Sequence, residues 1–428
     1  MLELVLAVIA VCGLITNRLS WVFLVISILY KSGWYFGLST SDLLFYHNLP
    51  DLGALIIIAV FFRLNARKSV NRLYEYKKIR SAFKYFFLFF LLCSLIDIVV
   101  NHTPLISQIK ALRGYIPLIL LLVIHKVRRE EILAYLKLLI VVSTLFSFIF
   151  VLEQIIGVEI TGARHTSGGA RAPVVPPITL LCFAVMLVSK HVVSTKLKIL
   201  FFISLFSNLV ASGSRSIFLS YIFVFCLFLI SSKPTVKKTI LVVFACIAVA
   251  FVFSTDNILS KRFNESKGDI ASVQANSGEV EGNFSFRILL MSERLEYVAN
   301  SVQYTLFGIG NIEERNIKRE IFHIGLKDDK GRVYQVETAD IAWAVAFLRW
   351  GILGTILYLL VPFRQMILYY YRNRKIPYSY GLFLYLCANL FVTSWTYSDI
   401  TSMDFWFAPI VFLPLAQTSS INRDIGNL

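Results

Sequence analysis

The sequence predicts an all-α polytopic membrane helix bundle of about 12–13 spans, with one large loop outside the membrane that carries interfacial helices. Three observations point there. The 428 residues are 57% hydrophobic and only 16% charged, and the mean hydropathy is +0.70, more apolar surface than a water-soluble fold can hide. Apolar blocks long enough to approach the roughly 30 Å hydrocarbon core recur from residue 2 to residue 417. These blocks are continuous, whereas the strands of a membrane barrel would alternate apolar and polar residues.

In order, the blocks fall at 2–16, 19–36, 49–62, 85–100, 112–125, 132–152, 174–190, 198–213, 216–232, 239–254, 339–361, 379–396 and 403–417. The net charge of +16 is concentrated between them. Arg63 to Lys84 holds eight basic residues against Glu75 alone, and smaller excesses lie at Lys126–Arg129, Lys190–Lys198, Lys233–Lys238 and Arg364–Lys375. Basic loops between apolar blocks are the mark of cytoplasmic loops, so the charge is assigned to topology and inner-leaflet contact rather than to nucleic acid. With the Lys126 loop inside, every later basic cluster also falls inside. The six cysteines (Cys12, Cys93, Cys182, Cys226, Cys246 and Cys387) all lie within apolar blocks without paired spacing, and read as small buried hydrophobes. No cleavable leader is expected, since Met1 to Thr16 lacks a basic start and a small-residue cleavage site.

The same parity puts Asn101–Ala111, Glu153–Pro173 and Thr255–Thr338 outside. The last has 84 residues with 11 basic and 13 acidic, too long for a connector and close to neutral. From Phe286, the residues Ile288, Met291, Leu295, Val298 and Val302 recur at helical spacing, predicting an amphipathic helix along the outer membrane surface, with Arg287 and Arg294 on the border of its apolar stripe.

Motifs of soluble enzymes are absent: the sequence has no HExxH, no GxxxxGK and no GxSxG, and its six histidines have no metal-ligand spacing. Arginines at the outer ends of spans are more informative, because cations there usually face a cavity or a partner. Arg215 stands in the polar pinch Ala211-Ser-Gly-Ser-Arg-Ser216, and Arg164 and Arg171 flank His165-Thr-Ser-Gly-Gly169. Guanidinium groups stay charged and grip phosphate oxygens in pairs, so these three suit a di-anion at the outer leaflet; snorkelling to lipid phosphate is the structural alternative. Glu337 and Asp340 are three apart at the mouth of the 339–361 span. One reading makes them bases for a sugar hydroxyl, another makes them helix caps. Arg349, about three turns deeper, has Asp97 and Glu153 as acidic candidates for pairing.

In their order along residues 150–365, these features resemble the O-antigen polymerase and O-antigen ligase superfamily, the Wzy-type polysaccharide polymerases among them. The matching pieces are Ser214-Arg215-Ser216, the long loop after residue 254, the Arg287 to Gly308-Ile-Gly310 segment and the passage ending Arg349-Trp-Gly-Ile-Leu-Gly354. Ligases of the superfamily usually carry a His-Asn pair where this chain has Asp340-Ile341, a departure that favours the polymerase. The resemblance implies a membrane glycosyltransferase needing neither metal nor other cofactor. Its donor would be a glycan on undecaprenyl pyrophosphate at the periplasmic face of the bacterial inner membrane, and its product O-antigen, capsule or exopolysaccharide. In that role Arg215, Asp340 and Glu337 are the catalytic candidates, and Arg164, Arg171, Arg287 and Arg294 the candidates for holding pyrophosphate or glycan. The implied organisation is a membrane bundle over residues 1–254, a periplasmic loop over 255–338 and a second bundle segment over 339–428. Expected partners are the lipid-linked glycans, the bilayer, and a chain-length regulator and flippase of the same pathway, with no nucleic acid. The competing readings are a ligase that moves finished glycan to lipid A core and a lipid-linked oligosaccharide flippase or other transporter.

Overall fold

The computed structural model describes residues 2–30, 49–67, 74–99, 102–157, 164–166, 169–171, 177–189, 192–231, 242–243, 250, 254, 257, 259–261, 283–310, 322–324, 341–372, 376–395 and 403–416. Most of the expected 239–254 span lies outside them, as do Glu337 and Asp340. The helices are α1 (Leu2–Ile15), α2 (Leu19–Tyr30), α3 (Leu49–Asn65), α4 (Tyr74–Val99), α5 (Leu105–Arg113), α6 (Arg129–Ile156), α7 (Pro177–Val188), α8 (Thr195–Ser212), α9 (Arg215–Ser231), α10 (Asn283–Ala299), α11 (Val302–Phe307), α12 (Ala342–Ile367), α13 (Pro377–Phe391) and α14 (Met403–Val411). A two-stranded hairpin of β1 (Arg164–Thr166) and β2 (Gly169–Arg171) is the one β element among the described residues. The fold is all-α and polytopic: Lys77–Val99, Arg129–Ile156, Thr195–Ser212 and Ala342–Tyr370 are long and apolar enough to cross a membrane, and four shorter apolar helices accompany them.

Two boundaries differ from the expectation. Helix α4 begins at Tyr74, well before the apolar block at 85. Ile79, Ala82, Phe83 and Phe86 are buried at steps of three and four while Lys77, Lys78 and Lys84 face outward, so residues 74–84 of the basic stretch form the amphipathic first turns of α4 rather than a loop. Most of the 112–125 block is not α-helical: after α5 ends at Arg113, it folds as 3-10 turns over Ile116–Leu122 and Ile124–Lys126. Pro117 removes a donor near the start, and Leu118, Leu120, Leu121 and Ile124 are fully buried. Backbone without full α-helical bonding is tolerated at membrane depth only where protein surrounds it, and here α3, α4 and α14 do so.

The main core joins α1–α4, α6–α9 and α12–α14. At its centre Trp350 meets Phe86 (5.3 Å between centroids), Tyr115 (5.6 Å) and Tyr358 (4.6 Å), and Tyr358 meets Trp406 edge-on at 4.8 Å. Aromatic pairs of this kind each contribute about 0.5–1.5 kcal/mol beyond area burial.

A second, smaller core lies apart from it. Val298 of α10, Phe322 and Leu348 of α12 are buried together, with Tyr297, Tyr304, Ile309 and Phe347 packed around them. The buried row of α10 is Leu290, Arg294 and Val298, while Ile288 is 37% and Val302 77% exposed. The expected stripe is therefore rotated, and it also ends earlier. Ser301 starts a new helix, its side chain accepting from the Tyr304 N–H, so Val302 belongs to α11.

Candidate functional site

Four helix ends converge. Helix α8 returns the chain between α7 and α9 through short connections, so those two run the same way, and Phe183 of α7 packs on Tyr221 of α9 at 4.9 Å, which sets Pro177 and Arg215 at the same end of the bundle. Gly381, early in α13, lies against Val185, late in α7, so α13 runs the other way and ends beside those two starts. After α13, the 3-10 turn Thr393–Trp395 packs on α9 and α12. There the indole N–H of Trp343, in the first turn of α12, donates to the Ser394 hydroxyl at 2.8 Å.

Arg215 is half-buried at this end, engaged with its surroundings, directly after Gly213 has closed α8 in the left-handed conformation. Arg164 and Arg171 face one another in the register of the hairpin, a short step before α7. The backbone thus brings two of the three expected arginines together and carries the chain from them to the Arg215 end. Arg287 lies in the first part of α10.

Arg294 corrects the expectation of a headgroup-facing cation. It is 1% exposed. Its guanidinium pairs with Glu293, donates to the Ile324 carbonyl at 2.7 Å and lies 4.0 Å over the Phe322 ring. Glu293 completes the clamp by accepting from the backbone N–H of His323 (2.7 Å) and of Ile324 (3.1 Å). Burial is tolerated because a counter-ion, a carbonyl acceptor and an aromatic face are supplied inside. Burial pulls its pKa below the ordinary arginine value, and Glu293 opposes that pull.

The two glycine motifs are physically one device. Helix α12 is broken at Gly351, whose φ of 59° and ψ of −163° are not helical. The carbonyls of Leu348 and Arg349 accept instead from the N–H groups of Ile309 (2.8 Å) and Gly310 (3.0 Å), so Gly308-Ile309-Gly310 is strapped across the break. A Cβ on Gly308 would overlap the Arg349 carbonyl, and one on Gly351 the Leu306 carbonyl. Both also have positive φ, so glycine is required on each side of the contact. Arg349, in this contact, is half-buried and partnered.

Sequence reasoning missed Glu293, Trp343 and Ser394, whose roles arise from contacts across the fold. The adjacent Glu293-Arg294 pair inside a helix with few other charges was the one available signal. Among the described residues no group of three or more His, Cys, Asp or Glu is arranged to hold a metal ion.

Residues 199–359 match the family described as O-antigen ligase. The matched region runs from α8 through Arg215, the α10–α11 unit and the strap to the break in α12. No curated protein matches the chain. The likeness to the O-antigen ligase family is confined to residues 199–359, less than half of the chain.

Proposed function

We propose that the protein polymerises undecaprenyl-pyrophosphate-linked oligosaccharide repeat units into O-antigen, capsule or exopolysaccharide. It would work at the periplasmic face of the bacterial inner membrane, with residues 255–338 as a periplasmic loop between bundle segments 1–254 and 339–428. The observation that carries this reading is the convergence of Arg215, the paired Arg164–Arg171 backbone and the start of α12 at one end of a membrane bundle, within or next to the family-matched region.

In the reaction, a hydroxyl oxygen of the acceptor sugar bonds to the anomeric carbon of the donor, the bond from that carbon to pyrophosphate breaks, and the hydroxyl proton is released. Pyrophosphate already leaves well, so the protein chiefly aligns the two lipid-linked substrates and stabilises the departing charge. Arg215, with Arg164, Arg171 and Arg287, would hold the pyrophosphate through charge-assisted hydrogen bonds. Asp340 or Glu337 would accept the proton. Arg294 is left out of this set because Glu293, Phe322 and Ile324 occupy it. A chain-length regulator and a flippase of the same pathway are the protein partners proposed with this reading. The description of the matched family favours one second reading, ligation of finished glycan to lipid A core.

Reconstitution with purified lipid-linked repeat units, followed by gel separation, distinguishes the two. A ladder without lipid A core is the expected result, and product only when lipid A core is added would establish the ligase. Arg215→Ala should lower the yield about 100-fold or more with the protein still in the membrane, as loss of a charge-stabilising donor does; unchanged product length would remove Arg215 from the mechanism.

A further inference from the structure

We propose that Asp97 is a positioning residue that acts through the Gly308–Gly310 strap, fixing the outer half of α12 (residues 342–350) on the end of α4. The functional part of this inference rests on the glycosyl-transfer reading above. Asp97 lies in the last turn of α4 and is 4% exposed. A carboxylate at that depth is costly unless its surroundings engage it, and it is engaged here. Its two oxygens fill the space that a Cβ on Gly310 would occupy. Its own carbonyl accepts from the Thr103 N–H at 3.0 Å, which turns the chain after α4. On the other side of the strap, Ile309 and Gly310 donate to the carbonyls of Leu348 and Arg349.

The layers are therefore Asp97, Gly310 and the broken backbone of α12, in that order. The same half-helix carries Trp343, bonded to Ser394 beside α9. A shift of the strap would move the start of α12 relative to Arg215, and a displacement near 1 Å at a reacting centre can cost about 100-fold in rate. Asp97 needs no contact with substrate to have this effect.

The test uses the full chain with a cysteine pair, Ile309→Cys and Leu348→Cys, placed across the strap contact, where Ile309 packs on the core that contains Leu348. Disulfide yield, read as the linked peptide by mass spectrometry, reports docking without reference to activity. Asp97→Asn keeps the shape and removes the charge, and should cut that yield several-fold. Gly310→Ala, which disturbs the same contact from the other side, should do likewise and guards against a fold defect peculiar to one variant. Without the cysteines, Asp97→Asn should lower kcat about 10- to 100-fold with KM nearly unchanged, and oxidised Asp97→Asn/Ile309→Cys/Leu348→Cys should recover most of it. Parental disulfide yield in Asp97→Asn overturns the proposal, whatever the yield in Gly310→Ala. Full tethering without recovery also overturns it, since Asp97 would then act directly on substrate or proton. Reduced yield in these variants, with no glycan product from any of them or from the parent, supports the strap and overturns the glycosyl-transfer reading alone.

Discussion

The core of the bundle and the small core beside it are held by different physics. Around Trp350 the bundle is dense with aromatic rings, and its order comes from shape and apolar contact. Beside it, Val298, Phe322 and Leu348 bury little area, and the chain from 322 to 324 is held instead by the Glu293–Arg294 clamp and the strap by two backbone hydrogen bonds. The first region should respond to volume. The second should respond to charge and to backbone freedom.

Substitutions can break that contrast. Trp350→Ala empties the centre of the aromatic cluster and should cost about 3–5 kcal/mol, seen as a lower midpoint for thermal unfolding in detergent followed by near-UV circular dichroism. Arg294→Ala leaves Glu293 without its cation and should cost about 3 kcal/mol locally. The readout is faster limited proteolysis of the 283–324 region with the bundle midpoint held. An equal fall in that midpoint would mean that the two cores unfold as one unit. Arg294→Lys sharpens the point. It keeps the charge, loses the planar stacking on Phe322 and the forked donors, and should fall between parent and alanine in proteolysis rate. Smallest of all, Ser394→Ala removes one hydrogen bond to Trp343 and should cost about 1 kcal/mol of bundle stability.

The same contrast governs what was legible in the sequence. The long helices α6, α8 and α9 begin and end within a few residues of the apolar blocks, because an unbroken run of Leu, Ile, Val and Phe has few alternatives in a membrane. The break in α12 was not legible, since Gly351 sits in an apolar run and its conformation is imposed by a segment about forty residues earlier. Nor was the burial of Arg294, which depends on Phe322 and Ile324 across a loop. At the candidate site, Arg215 announced itself by standing in a polar pinch between two spans. Trp343 and Ser394 look like ordinary interfacial residues until the fold joins them.

The 3-10 stretch over Ile116–Lys126 has a consequence for how the chain is made. Its apolar side chains are covered in part by α14, whose residues leave the ribosome well after those of the stretch itself. The translocon can release most hydrophobic segments as they emerge, but this one has no finished berth until α14 has been synthesised. Biogenesis of the 116–126 stretch is thereby coupled to α14, and a chain truncated before residue 403 should be cleared by membrane quality control.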